Sequence, residues 1–186
     1  AGRIDHAHHA NNAYRALGDT IELSHAVEAA LRLTKPSETL VIVTADHGHS
    51  FTLSGYPKRG NPILGVVVPP RSDKPLLDAS GKPYTALNYA AGPGNTGASD
   101  AQPAGPKRFP HEPKSFSPAA GRPDLAGVDT TAPDYLQESL VPAGSGTHSG
   151  EDVAIYASGP GAELFRGVRE QNYIYHVIAD ALGWSE

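Results

Sequence analysis

Along residues 13–34, apolar Leu17, Ile21, Leu23, Val27, Ala30 and Leu31 recur at helical steps, with Arg15, Asp19, Glu22, Glu28 and Arg32 between them. That period predicts an amphipathic helix. Lys35-Pro36-Ser37 ends it, because proline cannot continue a helix. Thr39–Thr44 (TLVIVT) is a short β-branched apolar run, the pattern of a strand buried on both faces of an α/β sheet. Two more strands are predicted in 51–68, the second Ile63–Val68, around the turn-rich Tyr56–Pro62. Another is predicted at Tyr84–Tyr89, before Gly92-Pro93-Gly94. From there to about Pro133 the chain is rich in Pro, Gly, Ser and Ala with almost no apolar period, which predicts a long irregular surface excursion. Order is expected to return near Tyr135–Val141, with a strand at Val153–Ala157. A closing helix is predicted over Glu170–Leu182, where Ile174, Val177, Ile178 and Leu182 share a stripe and Gly183 suits the stop. Helix, turn and buried strand make an α/β unit. Ligands in such sheets collect beyond the carboxyl ends of the strands. Ala45, Asp46, His47, Gly48 and His49 follow the first strand directly.

Composition narrows this picture. The 186 residues carry a net charge of −5, so no basic face for nucleic acid is implied. No apolar stretch reaches ~18 residues, so no transmembrane segment is expected, and no signal peptide is visible. Cysteine is absent, which removes disulfides and thiolate metal sites. The 20 glycines and 17 prolines make about a fifth of the chain, above the usual share. Methionine is also absent and position 1 is alanine, so a processed or partial chain is expected. Nine histidines then become the residues to place.

Three groups of them carry candidate chemistry. Asp5 and His9 stand four apart, which on a helical turn puts a carboxylate and an imidazole on one side. Such a pair suits a divalent transition metal, above all zinc, but taken alone it fits a polar helix start better. Asp46-His47, with His49 two residues on, follows the buried strand. A turn there can converge both side chains on one ion, or the Asp can simply cap the next element. His148 lies in the Gly-rich GTHSGED, where a lone histidine is either an exposed residue or a ligand. Asp5, His9, Asp46, His47 and His148 together offer two Asp and three His, one more ligand than a closed structural zinc site uses. That surplus suggests a two-metal site of the kind found in phosphoryl-transfer hydrolases.

RIDHAHH, VTADHGH, FTLSGYPKRGN and THSGEDVAIYA, in this order, resemble the alkaline phosphatases. The likeness is to their C-terminal portion and covers almost the whole chain, being weakest from about Pro69 to Ser139. It implies that Asp5, His9 and His148 bind a first zinc ion, and Asp46 and His47 a second. His49 would orient the first-zinc carboxylate, and His6 would contact phosphate. Tyr56 would reach over a dimer interface. The resemblance also implies an α/β fold, part of a three-layer α/β/α sandwich with a mostly parallel mixed sheet. Core segments 1–68 and 140–186 would flank a crown-like insertion at 69–139. The implied activity is hydrolysis of phosphate monoesters to inorganic phosphate, with two zinc ions and a magnesium ion. The serine nucleophile and the phosphate-gripping arginine would lie in a missing N-terminal portion, and the magnesium-binding Glu just before Ala1. The 186-residue chain alone is therefore expected to be inactive and to depend on that portion as a partner. A homodimer in the periplasm or outside the cell follows from resemblance only. Two alternatives stand beside this reading. One is a phosphodiesterase or phosphomutase built on the same two-metal plan; the other is a non-catalytic zinc-binding module.

Overall fold

The computed structural model describes residues 1–184. Its elements, in chain order, are α1 (Gly2–His9), α2 (Ala13–Leu33), β1 (Val41–Val43), β2 (Gly48–His49), β3 (Phe51–Leu53), β4 (Leu87–Gly92), β5 (Lys107–Arg108), β6 (Tyr135–Leu136), β7 (Ser139–Pro142), β8 (His148–Ser149) and β9 (Tyr156–Ser158). A 3-10 turn (Ala162–Leu164) and α3 (Tyr173–Ala181) follow. The chain divides into two compact units. Among the described residues, one holds 1–20 and 49–149, the other 21–48 and 150–184.

In the first unit the central sheet runs β3-β4-β7, with β3 antiparallel and β7 parallel to β4. Leu87, Tyr89 and Ala91 alternate into the core from β4 while Ala90 faces out, the two-residue period of a pleated strand. Val67, Leu125, Tyr135 and Leu136 complete this core. The register sets Phe51 opposite Tyr89, so their rings lie side by side with centroids 5.0 Å apart. β5 and β6 pair antiparallel at one end of the irregular segment. That segment lacks an apolar period because polar contacts hold much of it. Arg122 grips Glu138 with two parallel bonds, Nε to Oε2 and Nη2 to Oε1, each 2.8 Å, and also bonds Asp78. The fully buried Lys107 ammonium donates to the carbonyls of Pro103 (2.6 Å) and Gly105 (3.1 Å). His111, also buried, joins the Pro93 carbonyl through Nδ1 and Ser99 Oγ through Nε2, both at 2.8 Å.

In the second unit β1 pairs antiparallel with β9, Val41 opposite Ser158 and Val43 opposite Tyr156. The 3-10 turn and α3 complete it, with Val177 and Ala179 buried.

The long helix forms where its period predicts it, over Ala13–Leu33. Asn12 starts it by accepting from the Arg15 N–H at 2.9 Å through Oδ1. The strands depart further from expectation. β1 is half-buried at all three positions rather than enclosed on both faces, with β9 as its one ladder partner. Ile63–Val68 forms no strand, only the isolated bridge Val66–Thr85. β4 and β9 start later than expected, at Leu87 and Tyr156, and α3 starts at Tyr173. Short apolar runs fix neither register nor ends, because their partners lie far away in sequence.

Candidate metal centre

α1 presents Asp5 and His9 on one face, one helical turn apart. Just past the helix end, Asn11 takes a left-handed φ of 55° and is fully buried. Its amide Nδ2 donates to the carbonyls of His8 and Ala91, each at 3.3 Å, and its Oδ1 accepts from Gly94 N–H at 2.9 Å. The Asn11 carbonyl accepts from Gln137 N–H at 2.9 Å, and Gln137 Oε1 accepts from Ala13 N–H at 2.7 Å. One asparagine thus ties the end of the helix that carries Asp5 and His9 to the loop after β4 and to the chain between β6 and β7.

β2 and β8 form a short ladder, extended by Ser50 N–H to Thr147 carbonyl at 3.1 Å. It delivers His49 and His148 to the Asp5/His9 face of α1. Asp5, His9, His49 and His148 each offer a ligand atom, all within 4.8 Å of one another. The individual separations distinguish two kinds of member. His9 Nε2 lies 3.5 Å and His148 Nε2 3.6 Å from Asp5 Oδ1, and the two imidazole nitrogens are 3.2 Å apart. Ligands of a tetrahedral zinc ion, bound at ~2.0–2.1 Å, stand about 3.3 Å from each other. The Asp5–His9–His148 triangle fits that edge. His49 Nε2 lies at 2.8 Å from Asp5 Oδ1, a hydrogen-bond distance instead. His49 therefore fits as the donor that holds the carboxylate. Three ligands leave a fourth position for water or substrate, as catalytic zinc sites do.

Gly146 fixes the third corner. Its carbonyl lies 2.6 Å from His9 Nδ1 and its N–H donates to the His9 carbonyl at 2.6 Å, so one residue clamps both backbone and ring. Ser145 Oγ lies 3.0 Å from the same Nδ1. With Nδ1 carrying the proton donated to Gly146, Nε2 keeps its lone pair toward Asp5 and His148, the tautomer a metal needs.

The electrostatics agree with an ionised Asp5 carboxylate. Burial alone would raise the Asp5 carboxyl. The His49 hydrogen bond and the nearby His9, His49 and His148 outweigh it and leave the group below its ordinary value. Burial lowers His49 despite its bond to Asp5. His8, on the same helix, is pulled down to about 4 by burial and then by His49.

Asp46 and His47 sit in the second unit. Their side chains face each other, His47 Nε2 to Asp46 Oδ2 at 3.4 Å, and His47 Nδ1 lies 3.1 Å from the Gly48 carbonyl. Neither belongs to the four-residue group among the described residues. His6 is exposed on α1. Tyr56 is 83% exposed on the chain that follows β3. Sequence reasoning did not find His8, Tyr89, Asn11 or Gly146. Their contacts join positions 80 to 137 residues apart, and no local spacing signals such pairs.

Comparison with known proteins gives the same direction. The alkaline phosphatase family model matches residues 1–184. The tissue-nonspecific alkaline phosphatase of Gallus gallus is 42% identical over 181 residues, covering 97% of this chain and 30% of that protein. Those of Homo sapiens and Rattus norvegicus are each 40% identical over 182 residues, covering 97% of this chain and 29% of theirs. The chain thus spans about a third of the length of the curated relatives it matches. By the family match over nearly its whole length, the chain belongs to the alkaline phosphatase family.

Proposed function

We propose that this chain is the zinc-binding C-terminal part of a phosphatase that hydrolyses phosphate monoesters. The observation that carries the reading is the Asp5–His9–His148 triangle, with edges of 3.2–3.6 Å, in a chain of this family. Asp5, His9 and His148 would hold one zinc ion, and Asp46 and His47 would contribute to a second with ligands from outside the chain. A bound zinc ion supplies Lewis acidity toward the oxygens of a phosphate ester at neutral pH. The chain's own residues do the rest. His49 donates to Asp5 Oδ1 and keeps the carboxylate turned to its ligating orientation. The Gly146 carbonyl holds the proton of His9 on Nδ1. His6, exposed on α1 and next to Asp5 in sequence, would contact a phosphoryl oxygen.

The serine nucleophile, the arginine that grips phosphate and the magnesium carboxylate would belong to sequence outside these 186 residues. The second unit suits such a partner. It buries only two of the large set of apolar residues it carries, and leaves Leu33, Tyr156, Val168 and Trp184 more than two-thirds exposed among its described residues. Completion by that sequence would extend the small sheets into the three-layer sandwich. Tyr56, exposed, would serve a dimer contact, and export to the periplasm or cell exterior completes the reading.

The test is turnover of p-nitrophenyl phosphate by the complete protein under zinc titration, beside a bis-ester and the 186-residue chain alone. Zinc-dependent monoester hydrolysis by the complete protein, with none by the chain alone, is expected. A preference for the bis-ester would replace the reading with a phosphodiesterase. Tight zinc binding without turnover of either ester would replace it with a non-catalytic module.

A further inference from the structure

We propose that His8 and Tyr89 are positioning residues of the metal centre: the tyrosine hydroxyl tethers the His8 ring, and that ring braces His49 against the Asp5 carboxylate. The inference rests on the metal-centre reading above. His8 immediately precedes a ligand on α1, so its side chain leaves the helix about 100° away from that of His9. It cannot join the donors, and it turns inward to the β3-β4 sheet instead. There its Nδ1 lies 2.7 Å from the Tyr89 hydroxyl. Tyr89 is only 3% exposed, and burial keeps its phenol protonated. A buried hydroxyl needs an acceptor, and among the described residues the one it bonds is His8 Nδ1. Accepting there places the His8 proton on Nε2.

The tether fixes a ring that touches the site. His8 stacks on His49 with centroids 5.0 Å apart and planes inclined by 26°. Its remaining sides meet Phe51 at 5.0 Å and Tyr89 at 5.8 Å. The Phe51–Tyr89 register of β3 and β4 builds this socket, so the sheet register reaches the metal centre through one imidazole. His49 then holds Asp5 Oδ1 at 2.8 Å. Rotation of His49 about its own axis would move that bond, and with it the direction in which the carboxylate presents its oxygens. Nothing in this chain of contacts requires His8 to touch ion or substrate.

Tyr89→Phe isolates the tether, since it deletes one oxygen and keeps the ring. In the complete protein, zinc affinity is measured against a competing chelator, and the cobalt-substituted protein is followed by its visible absorption bands. Tyr89→Phe is expected to weaken zinc about tenfold, the range found when outer partners of metal ligands are removed, and to shift the cobalt bands. His8→Ala should weaken it further. A Tyr89→Phe protein that melts earlier but keeps the zinc affinity and cobalt spectrum of the parent would overturn the proposal and leave a simple core hydrogen bond. The imidazole nitrogen shifts of His49, read by NMR in the metal-free protein, add a second arm. They are expected to move in Tyr89→Phe, and unchanged shifts would count against the brace. If the parent protein takes up no zinc at all, the metal reading fails, while those shifts still decide whether His8 braces His49.

Discussion

Asn11 shows how much one side chain can position. An L-residue in the left-handed region costs ~1–2 kcal/mol, and asparagine pays least of the non-glycine residues. Its amide also satisfies the buried Gly94 N–H and two carbonyls. Asn11→Ala should therefore destabilise the protein by roughly 2–3 kcal/mol, strain plus an orphaned donor. Asn11→Gly, which relieves the strain alone, should recover about 1 kcal/mol of that, read as urea midpoints. At the proposed zinc site, His9→Ala and His148→Ala should each abolish tight zinc binding in a dialysis assay, whereas His25→Ala, exposed on α2, should leave it intact. His111 gives the pH dependence. Burial depresses it below its ordinary 6.5, partly offset by its bond to the Pro93 carbonyl. A base depressed in the folded state stays neutral there while the unfolded chain takes up a proton, so stability is full above 6.5 and falls as pH drops below it. The urea midpoint should decline from pH 7.5 to 5.5, and decline less in His111→Gln. An equal decline in both would remove His111 as a cause.

At the scale of elements, the β1-β9 pair depends on a close backbone crossing. Gly159 follows β9 with φ 105°, and a Cβ there would lie 2.0 Å from the Thr39 carbonyl oxygen, just before β1. Gly159→Ala cannot relieve that clash by moving a flexible side chain. It should cost more than ~2 kcal/mol, combining strain at positive φ with displacement of the ladder. The loss should appear in the melting temperature. α2 was legible in the sequence because 21 residues repeat one period and Pro36 marks its end. The region Ile63–Val68 was misleading because it has strand composition without a strand partner; its backbone is held instead by Asn61, whose side chain bonds Val66 and Val68.

For the whole molecule, the contrast lies in how each unit is buried. The first contains Val67, Leu87, Tyr89, Leu125, Tyr135 and Leu136 in its core, and the second buries Val177 and Ala179. Few buried apolar contacts mean low-energy local opening. In hydrogen exchange on the isolated chain, amides of β1 and α3 should exchange well before those of β4. Equal protection would show that the second unit needs no partner. Joined to the further sequence proposed above, the β1 and α3 amides should become protected, because the exposed apolar side chains of that unit would then be covered.

The sequence by itself determined the family, the long helix and the residue types able to bind metal, since each is written in contiguous motifs or a local period. Asp5 and His9 could be paired from their spacing alone, because a helical turn is local geometry. The tertiary structure decided which distant residues join them. β8 brings His148 139 residues along the chain to within 3.2 Å of His9, and His49 falls at hydrogen-bond rather than ligand distance from Asp5. It also gave His8 a place beside His49, through a strand register that sets Tyr89 under it. Register and loop closure depend on long-range packing, and no short stretch of sequence encodes them.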